Sequence, residues 1–349
     1  MKKILVAGNW RAFIHEESIS LALEKLGCKV TRFQWNKYFT KNPIFTLYAK
    51  LEYRLSFGFI VAKINRDLVH AVVTNSPEIL FIYRPILISK KTLIRIKKES
   101  PNTVIISYNN DDPFSSKYSI YYWLRHKKSI PYYDVIYSYR PSNIDQYIIS
   151  GAKVVKLLPP WFIKEKNFPI KLKPNEIIKY QSDVVFVGHY EADGRADIIK
   201  SIIKSGLKIS LYGPGWNSIV INDNVLKSLY PVRYLSGDEY NKVFCGAKIA
   251  LAFYSSLNND VYTRKCFEIP ATSTMMIAKR TKEMQEFFKE DKECIYFDNI
   301  SELIEKIDFY LKNDKLRKMV AKKGYQRVMN SGYDVIGRAE YILESYNQI

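Results

Sequence analysis

Short apolar runs alternate with longer amphipathic stretches along the whole chain. In the first half, residues 4–7, 29–33, 78–83, 103–107 and 134–137 have the apolar, β-branched and aromatic content of buried strands. Residues 17–26 have helical spacing and stop at Gly27, a residue suited to a helix C-terminus. Residues 44–62 place Ile44, Leu47, Tyr48, Leu51, Leu55 and Phe59 on one helical face. The second half repeats the rhythm, with strands expected at 184–187, 208–212, 249–253 and 274–278. Helices are expected there at 195–204, 238–245, 301–311 and 315–329. Strands alternating with helices predict an α/β chain whose parallel sheets are covered on both faces. Ligands of such sheets lie beyond the carboxyl ends of the strands. In the first half those ends carry residues 8–11, Arg84-Pro85 and residues 109–113.

Between the halves the pattern lapses. Pro159, Pro160, Pro169 and Pro174 punctuate a charged stretch without period, which predicts a linker. The expected organisation is a domain over 1–160, a linker over 161–180 and a second domain over 181–333. A last helix over 334–349 is expected to return toward the first domain. With 349 residues the chain is long enough for two separate cores. No run reaches the roughly eighteen apolar residues of a membrane span. The opening Met1-Lys-Lys-Ile-Leu-Val-Ala-Gly8 is too short an apolar run for a signal peptide and reads as a first strand. A cytoplasmic protein is expected.

Charge sharpens this picture. The net charge is +19, and residues 1–160 hold 25 Lys and Arg against 11 Asp and Glu. That asymmetry suits an anionic partner for the first half: a charged glycan, a lipid-linked phosphate, the inner face of an anionic membrane or nucleic acid. A proteome-wide bias toward lysine would give the same excess. The 44–62 helix carries Lys41, Lys50, Arg54, Lys63 and Arg66 around its apolar face. It could lie on a bilayer, but a core helix whose basic side chains reach outward to water is the favoured expectation. Cys28, Cys245, Cys266 and Cys294 lack metal-type spacing and are expected as free, mostly buried thiols in a reducing compartment. Four histidines without a His/Cys cluster argue against a zinc enzyme, and no metal or cofactor is expected.

The chemistry concentrates in Asp260-Val-Tyr-Thr-Arg-Lys-Cys-Phe-Glu268. Two acids eight residues apart bracket a Thr263-Arg264 pair just after an expected strand. A loop leading into a helix offers backbone amides to an anion, and Arg264 adds a planar charged fork. Glu268, one turn into the helix, suits the vicinal hydroxyls of a ribose. By spacing alone, a loop acid, a surface arginine and an ordinary helix acid are the plainer reading. Gly188, His189 and Arg195 follow the first strand of the second half. Tyr212, Gly213 and Trp216 follow the next, where glycines beside an aromatic suit a wall against a flat ring, or a turn capped by a core tryptophan. Lys248 is a further cation for a diphosphate, or a solvent lysine at a strand start. Asp111 and Asp112 would orient a hydroxyl or act as general base, and at least one suits an Asp-Pro turn. His15 is a rival base.

Taken in order, several of these pieces carry a resemblance. Asp183-Val-Val-Phe-Val-Gly188, Arg195, Leu211-Tyr-Gly-Pro-Gly-Trp216, Lys248-Ile-Ala-Leu, Tyr262-Thr-Arg-Lys-Cys-Phe-Glu-Ile-Pro270 and Gly324-Tyr-Gln-Arg resemble the C-terminal domain of GT-B glycosyltransferases of the spore-maturation (CgeB-like) type. Tyr108-Asn-Asn-Asp-Asp-Pro113 resembles that family's Asp-Pro loop. The resemblance implies a GT-B fold, two Rossmann-like domains with parallel sheets facing across a cleft. It implies transfer of a sugar from a nucleotide-sugar, without metal, to a glycan, lipid-linked or protein acceptor. The donor would meet the 188–195 turn, Lys248 and Arg264 with its diphosphate, Glu268 with its ribose and Asp260 with its sugar. Backbone near Arg233 and Tyr234 would read the base. The acceptor would meet Gly8, Asn9, Trp10, Arg11 and His15. Asp260 stands where related sugar-nucleotide enzymes often carry Glu in a Glu-x7-Glu pair, and that pair favours retention of configuration. The alternatives are a nucleotide-sugar epimerase on the same fold, and a nucleic-acid-binding protein or DNA glucosyltransferase. Nucleic acid is disfavoured because no recognition helix or RNA-binding motif is present.

Overall fold

A computed structural model describes residues 1–39, 43–235 and 237–348, with the side chains of 43–46 excepted. The chain divides into two units, Met1–Pro160 joined by Val335–Ile349, and Trp161–Asp334.

In the first unit the elements are β1 (Lys3–Gly8), α1 (Glu16–Lys25), β2 (Lys29–Gln34), α2 (Pro43–Leu55), α3 (Phe59–Asn75), β3 (Ile79–Tyr83), α4 (Lys90–Glu99), β4 (Val104–Asn109), α5 (Ile120–Ser129), β5 (Val135–Ser138), α6 (Ile144–Ile149) and β6 (Val155–Leu157). The six strands form one sheet in the order β2-β1-β3-β4-β5-β6, every neighbouring pair parallel. β1 and β3 are buried along nearly their whole length, as a sheet covered on both faces requires.

The second unit runs α7 (Pro174–Tyr180), β7 (Ser182–Val187), α8 (Arg195–Lys204), β8 (Ile209–Tyr212), α9 (Asn217–Val220), α10 (Asp238–Gly246), β9 (Ala247–Ala252), α11 (Lys265–Ala271), β10 (Met275–Lys279), α12 (Lys282–Phe287), β11 (Ile295–Phe297), α13 (Ile300–Lys312) and α14 (Asp314–Asn330). Its parallel sheet has the order β11-β10-β9-β7-β8. Gly324 on α14 lies where a Cβ would come 2.6 Å from the Glu293 carbonyl oxygen, so only glycine allows this approach. The last helix, α15 (Val335–Tyr346), packs on α1 in the first unit. Its C-terminal end is held there by Lys2, whose Nζ donates to Asn347 at 2.7 Å.

Each unit has its own apolar core. One gathers Leu5, Leu80, Ile82 and Ile105 with Trp35 and Trp123, the other Val184, Phe186, Leu251 and Ile277 with Trp216. In both sheets the strand order reverses once, between β1 and β3 in the first and between β7 and β9 in the second. Helices leaving the two central strands on opposite sides open a crevice at each reversal, the usual ligand position in such sheets.

Three expectations need correction. The helix expected over 44–62 is two helices. Glu52 accepts hydrogen bonds from the backbone amides of Phe59, Ile60 and Val61 at 2.9, 2.8 and 3.2 Å, capping α3 and turning the chain at Gly58. Lys41 lies outside the described residues. The linker expected over 161–180 belongs to the second unit. Tyr180 is buried there, and Lys242 of α10 pairs with Glu176 of α7 at 2.7 Å, contacts that prolines alone do not reveal. Finally, β6 and β11 were not anticipated, because each has three residues, too few to show a period.

All four cysteines are free. Among the described residues no helix is long and apolar enough to cross a membrane.

One buried group makes the fold pH-sensitive. His126 on α5 is fully buried among Trp123, Tyr133 and Tyr147, with neither ring nitrogen hydrogen-bonded. Burial, assisted by Lys127, pushes its pKa down to about 3. The unfolded chain therefore binds this proton more readily, and stability falls as pH drops below the ordinary histidine value of about 6.5. At pH 5 the loss from this group is about 2 kcal/mol. Denaturant unfolding between pH 7 and pH 5 should show that loss, and His126→Leu should flatten the profile over this interval.

Candidate functional site

The reversal point of the second sheet is built by the turn after β7. Gly188 donates its backbone N–H to Tyr212 at 2.9 Å, and its carbonyl accepts from the Trp216 indole at 2.8 Å. Gly213 has φ +128°, and a Cβ there would collide with the Gly188 carbonyl. The two glycines thus let the turns after β7 and β8 touch backbone to backbone. Trp216 is fully buried in the core, which corrects its expected role as a ligand wall. Tyr212 bridges to Arg233, whose carbonyl accepts from Gly213 at 2.9 Å, so Tyr212, Gly213, Arg233 and the exposed Tyr234 stand together at the end of β8.

Arg195 also differs from expectation. It is buried, and its guanidinium is bidentate on Asp193 at 2.8 and 2.6 Å. It also donates to the carbonyls of His189 at 2.5 Å and Tyr254 at 3.2 Å. These bonds tie the turn after β7 to the end of β9, so Arg195 shapes the site rather than facing a diphosphate. Glu191 completes the tie by accepting from Ser255 Oγ at 3.1 Å and the Ser256 amide at 3.0 Å.

The segment after β9 then enters α11. Asp260 is half-buried and its amide bonds to the Ser255 carbonyl at 2.9 Å. Thr263, Arg264 and Lys265 are half-buried in sequence, and the Arg264 guanidinium lies 5.3 Å from the Trp161 ring centroid. Glu268 is buried and accepts from Tyr240 Oη at 2.6 Å. Burial and then the Glu268 charge push the Tyr240 phenol well above its ordinary value, so Tyr240 remains a donor. Lys265 follows Arg264 in the same segment. Burial lowers its pKa, partly offset by Glu268 and reinforced by Arg195 and Arg264. His189 is lowered by burial and then by Lys265. His189, Arg264, Lys265 and Glu268 are thus brought into one electrostatic neighbourhood. The fork of Arg264 was legible in the sequence. The nearness of Lys265 to His189 depends on β7 and β9 being neighbours.

Lys248 is elsewhere. It begins β9 at the opposite, amino end of the sheet, exposed and paired with Asp183 at 2.7 Å. Its expected diphosphate role is therefore withdrawn.

The first unit has a polar cluster at its own reversal point. Gly8 ends β1 against Glu16, whose carboxylate accepts from the Asn9 amide at 2.7 Å. Burial raises the Glu16 pKa against the lowering effect of these amides and of Arg84. Trp10 donates its indole N–H to Glu17 at 2.8 Å, Arg11 is exposed with its guanidinium 5.5 Å from the Tyr53 ring, and His15 Nδ1 lies 2.8 Å from Tyr83 Oη. Arg84, after β3, takes φ +51° and pairs with Asp111 at 2.6 Å while donating to Tyr122 Oη at 2.9 Å. Asp112 is buried and accepts from the Phe114 amide and from Asn143 Nδ2, each at 2.9 Å. It serves the Asp-Pro turn and is withdrawn as a general base. Glu16, Tyr53 and Tyr122 were not singled out in the sequence. Strand order and the α2–α3 corner bring them there.

Residues 195–344 match the family model described as glycosyl transferase-like. Solved structures share the whole fold at low identity. Sucrose-phosphate synthase from Thermosynechococcus elongatus matches with TM-score 0.72 and 11% identity, over 100% of this chain and 99% of that one. HepE from Anabaena, in complex with UDP-glucose, matches with TM-score 0.69 and 11% identity over 100% of both chains. A protein assigned as a UDP-N-acetylglucosamine 2-epimerase from Listeria monocytogenes matches with TM-score 0.61 and 11% identity, over 100% of this chain and 96% of that one. No curated protein sequence matches the chain. The chain has the GT-B fold, and its residues 195–344 resemble glycosyl transferase-like proteins.

In this GT-B fold Arg195 holds together the turn after β7 and the end of β9. Removing one partner of a buried ion pair leaves an uncompensated charge. Arg195→Met should therefore lower unfolding stability by about 3 kcal/mol, read from the shift of the denaturant midpoint.

Proposed function

We propose that this enzyme transfers a sugar from a nucleoside-diphosphate sugar held at the reversal point of the second sheet. The observation that carries the reading is the grouping of a buried, hydrogen-bonded Glu268 with Arg264, Lys265 and His189 at that point. Glu268 would accept the ribose hydroxyls, with Tyr240 holding it in place. Arg264 and Lys265 would face the diphosphate. Negative charge grows on that group as the glycosidic bond breaks, and preplaced cations stabilise the growing charge more than the bound ground state. This role replaces a metal ion, so the reaction is expected to be metal-independent. Asp260 would face the donor sugar, and the paired-acid likeness favours a retaining outcome. HepE was captured with UDP-glucose, which makes UDP-sugars the first donors to test. The motif order is the ground for proposing the CgeB-like type. The acceptor would bind the first unit at the cluster around Asn9, Arg11, His15, Arg84 and Asp111, and the basic character of that unit suits an anionic glycan, lipid-linked or protein acceptor. The epimerase reading keeps the same donor site, and a fold match to an assigned epimerase supports keeping it in view.

Glu268→Gln keeps size and removes the charge. By isothermal titration it should weaken UDP binding by about 1.5–3 kcal/mol, since hydrogen bonds to charged groups are the stronger ones. Arg264→Ala and Lys265→Met should lower kcat as well as affinity, because their charge matters more as the diphosphate leaves. If all three variants bind and turn over donor like wild type, the donor site is misplaced. Incubation of the enzyme with a panel of nucleotide-sugars should release nucleoside diphosphate, with an acceptor or by slow hydrolysis. Interconversion of the sugar without release would favour the epimerase. Turnover should persist in chelator, and its full loss with recovery on adding manganese would overturn the metal-independent reading.

A further inference from the structure

The α2 helix is mounted inside out. Its inward face is Ala49 and Glu52, continued by Ser56 just past the helix end, all buried, while its leucines face solvent. Leu47 is 79% exposed and Leu51 53%, and the turn that follows adds Phe57 at 74% and Phe59 at 76%. At 100° per residue, Leu47, Leu51 and Leu55 form one stripe, and Lys50 and Arg54 lie along its edge. Contiguous exposed apolar surface of this kind is rare on a monomer and marks an interaction site. The core helix expected from the sequence pattern is therefore corrected.

The orientation is built, not incidental. The Glu52 carboxylate takes three backbone amides at the start of α3. Gly58, at φ +134°, has no room for a Cβ against that carboxylate. Rotating the leucines inward would pull Glu52 off these amides and leave both sides unsatisfied.

Charge selects the occupant. Glu52 is the only carboxylate between residues 43 and 66, and it is buried. Lys50, Arg54 and Lys63 are all exposed beside the apolar stripe. Leucine and phenylalanine ringed by lysine and arginine, with no exposed acid, match a bilayer whose headgroups are anionic and whose acyl boundary accepts apolar side chains. We propose that the face formed by α2 and the turn to α3 seats the enzyme on an anionic lipid surface, with Leu47, Leu51, Leu55, Phe57 and Phe59 entering the headgroup region. This assignment does not rest on the sugar-transfer reading, since it concerns a surface whose occupancy is measured without donor.

The test is co-sedimentation of the full chain with vesicles, at fixed salt and without nucleotide. The protein should pellet with equimolar phosphatidylglycerol and phosphatidylcholine and remain in solution with phosphatidylcholine alone. The triple variant Leu47→Ser, Leu51→Ser, Phe57→Ser should bind at least about tenfold more weakly while melting at the wild-type temperature, because these side chains are exposed. Lys50→Ala, Arg54→Ala, Lys63→Ala should weaken binding roughly hundredfold, each cation near an anionic surface being worth about 1 kcal/mol. Wild-type protein that stays in solution with anionic vesicles overturns the proposal. So does a serine variant that binds as well as wild type, which would leave only diffuse charge attraction. A wild-type dimer by sedimentation velocity that the serine variant converts to monomer, with no vesicle binding, would assign the face to a second copy of the chain instead.

Discussion

The order of strands in each parallel sheet is the constraint on which the other features depend. A parallel sheet needs a crossover after every strand, and each crossover covers one face. When the order reverses, the crossovers on the two sides of the reversal leave in opposite directions, and the backbone beyond the central strand ends is left open. β7 and β9 meet at such a point, as do β1 and β3. That geometry brings residues of the 188–195 turn beside residues some seventy positions later, and it does the same for Gly8 and Arg84.

Open backbone ends must still be satisfied, and buried charges do this work. Arg195 spends its donors on Asp193 and on two carbonyls, Glu191 caps the turn at Ser255 and Ser256, and Glu16 accepts from the first amide beyond β1. Such groups are costly to bury unless paired, so they persist where they hold a loop that apolar packing cannot hold. The residues proposed to meet a ligand stand beside these ties: Arg264, Lys265 and Glu268 in the second unit, Arg11 and Asp111 in the first. The same logic operates at Glu52, where one carboxylate capping α3 determines which side of α2 faces water.

Much was already legible in the chain. Residues 195–204 and 315–329 have helical period, and α8 and α14 form there. The apolar runs at 4–7, 78–83 and 184–187 became central strands, because a continuous apolar run suits burial on two faces. The Asp260–Glu268 segment stood out by its residue types, since an anion site needs cations and a ribose needs an acceptor, although spacing alone favoured the plainer reading and the resemblance made it the candidate donor site. Local period and chemistry are properties of neighbours in sequence, and a single chain displays them. What each side chain faces is not such a property. Trp216 and Arg195 are residue types that suit a ligand, and tertiary packing buried both. Lys248 has the charge a diphosphate needs, but it starts its strand at the end away from the site. Asp111 and Asp112 are adjacent in sequence and were indistinguishable there, yet one pairs with Arg84 and the other holds a turn. The leucine stripe of α2 had the period of a core helix, and a capped corner turned it outward. These outcomes were decided by strand order, chain reversal and the pairing of buried charges, interactions between residues far apart in sequence that only the folded structure brings together.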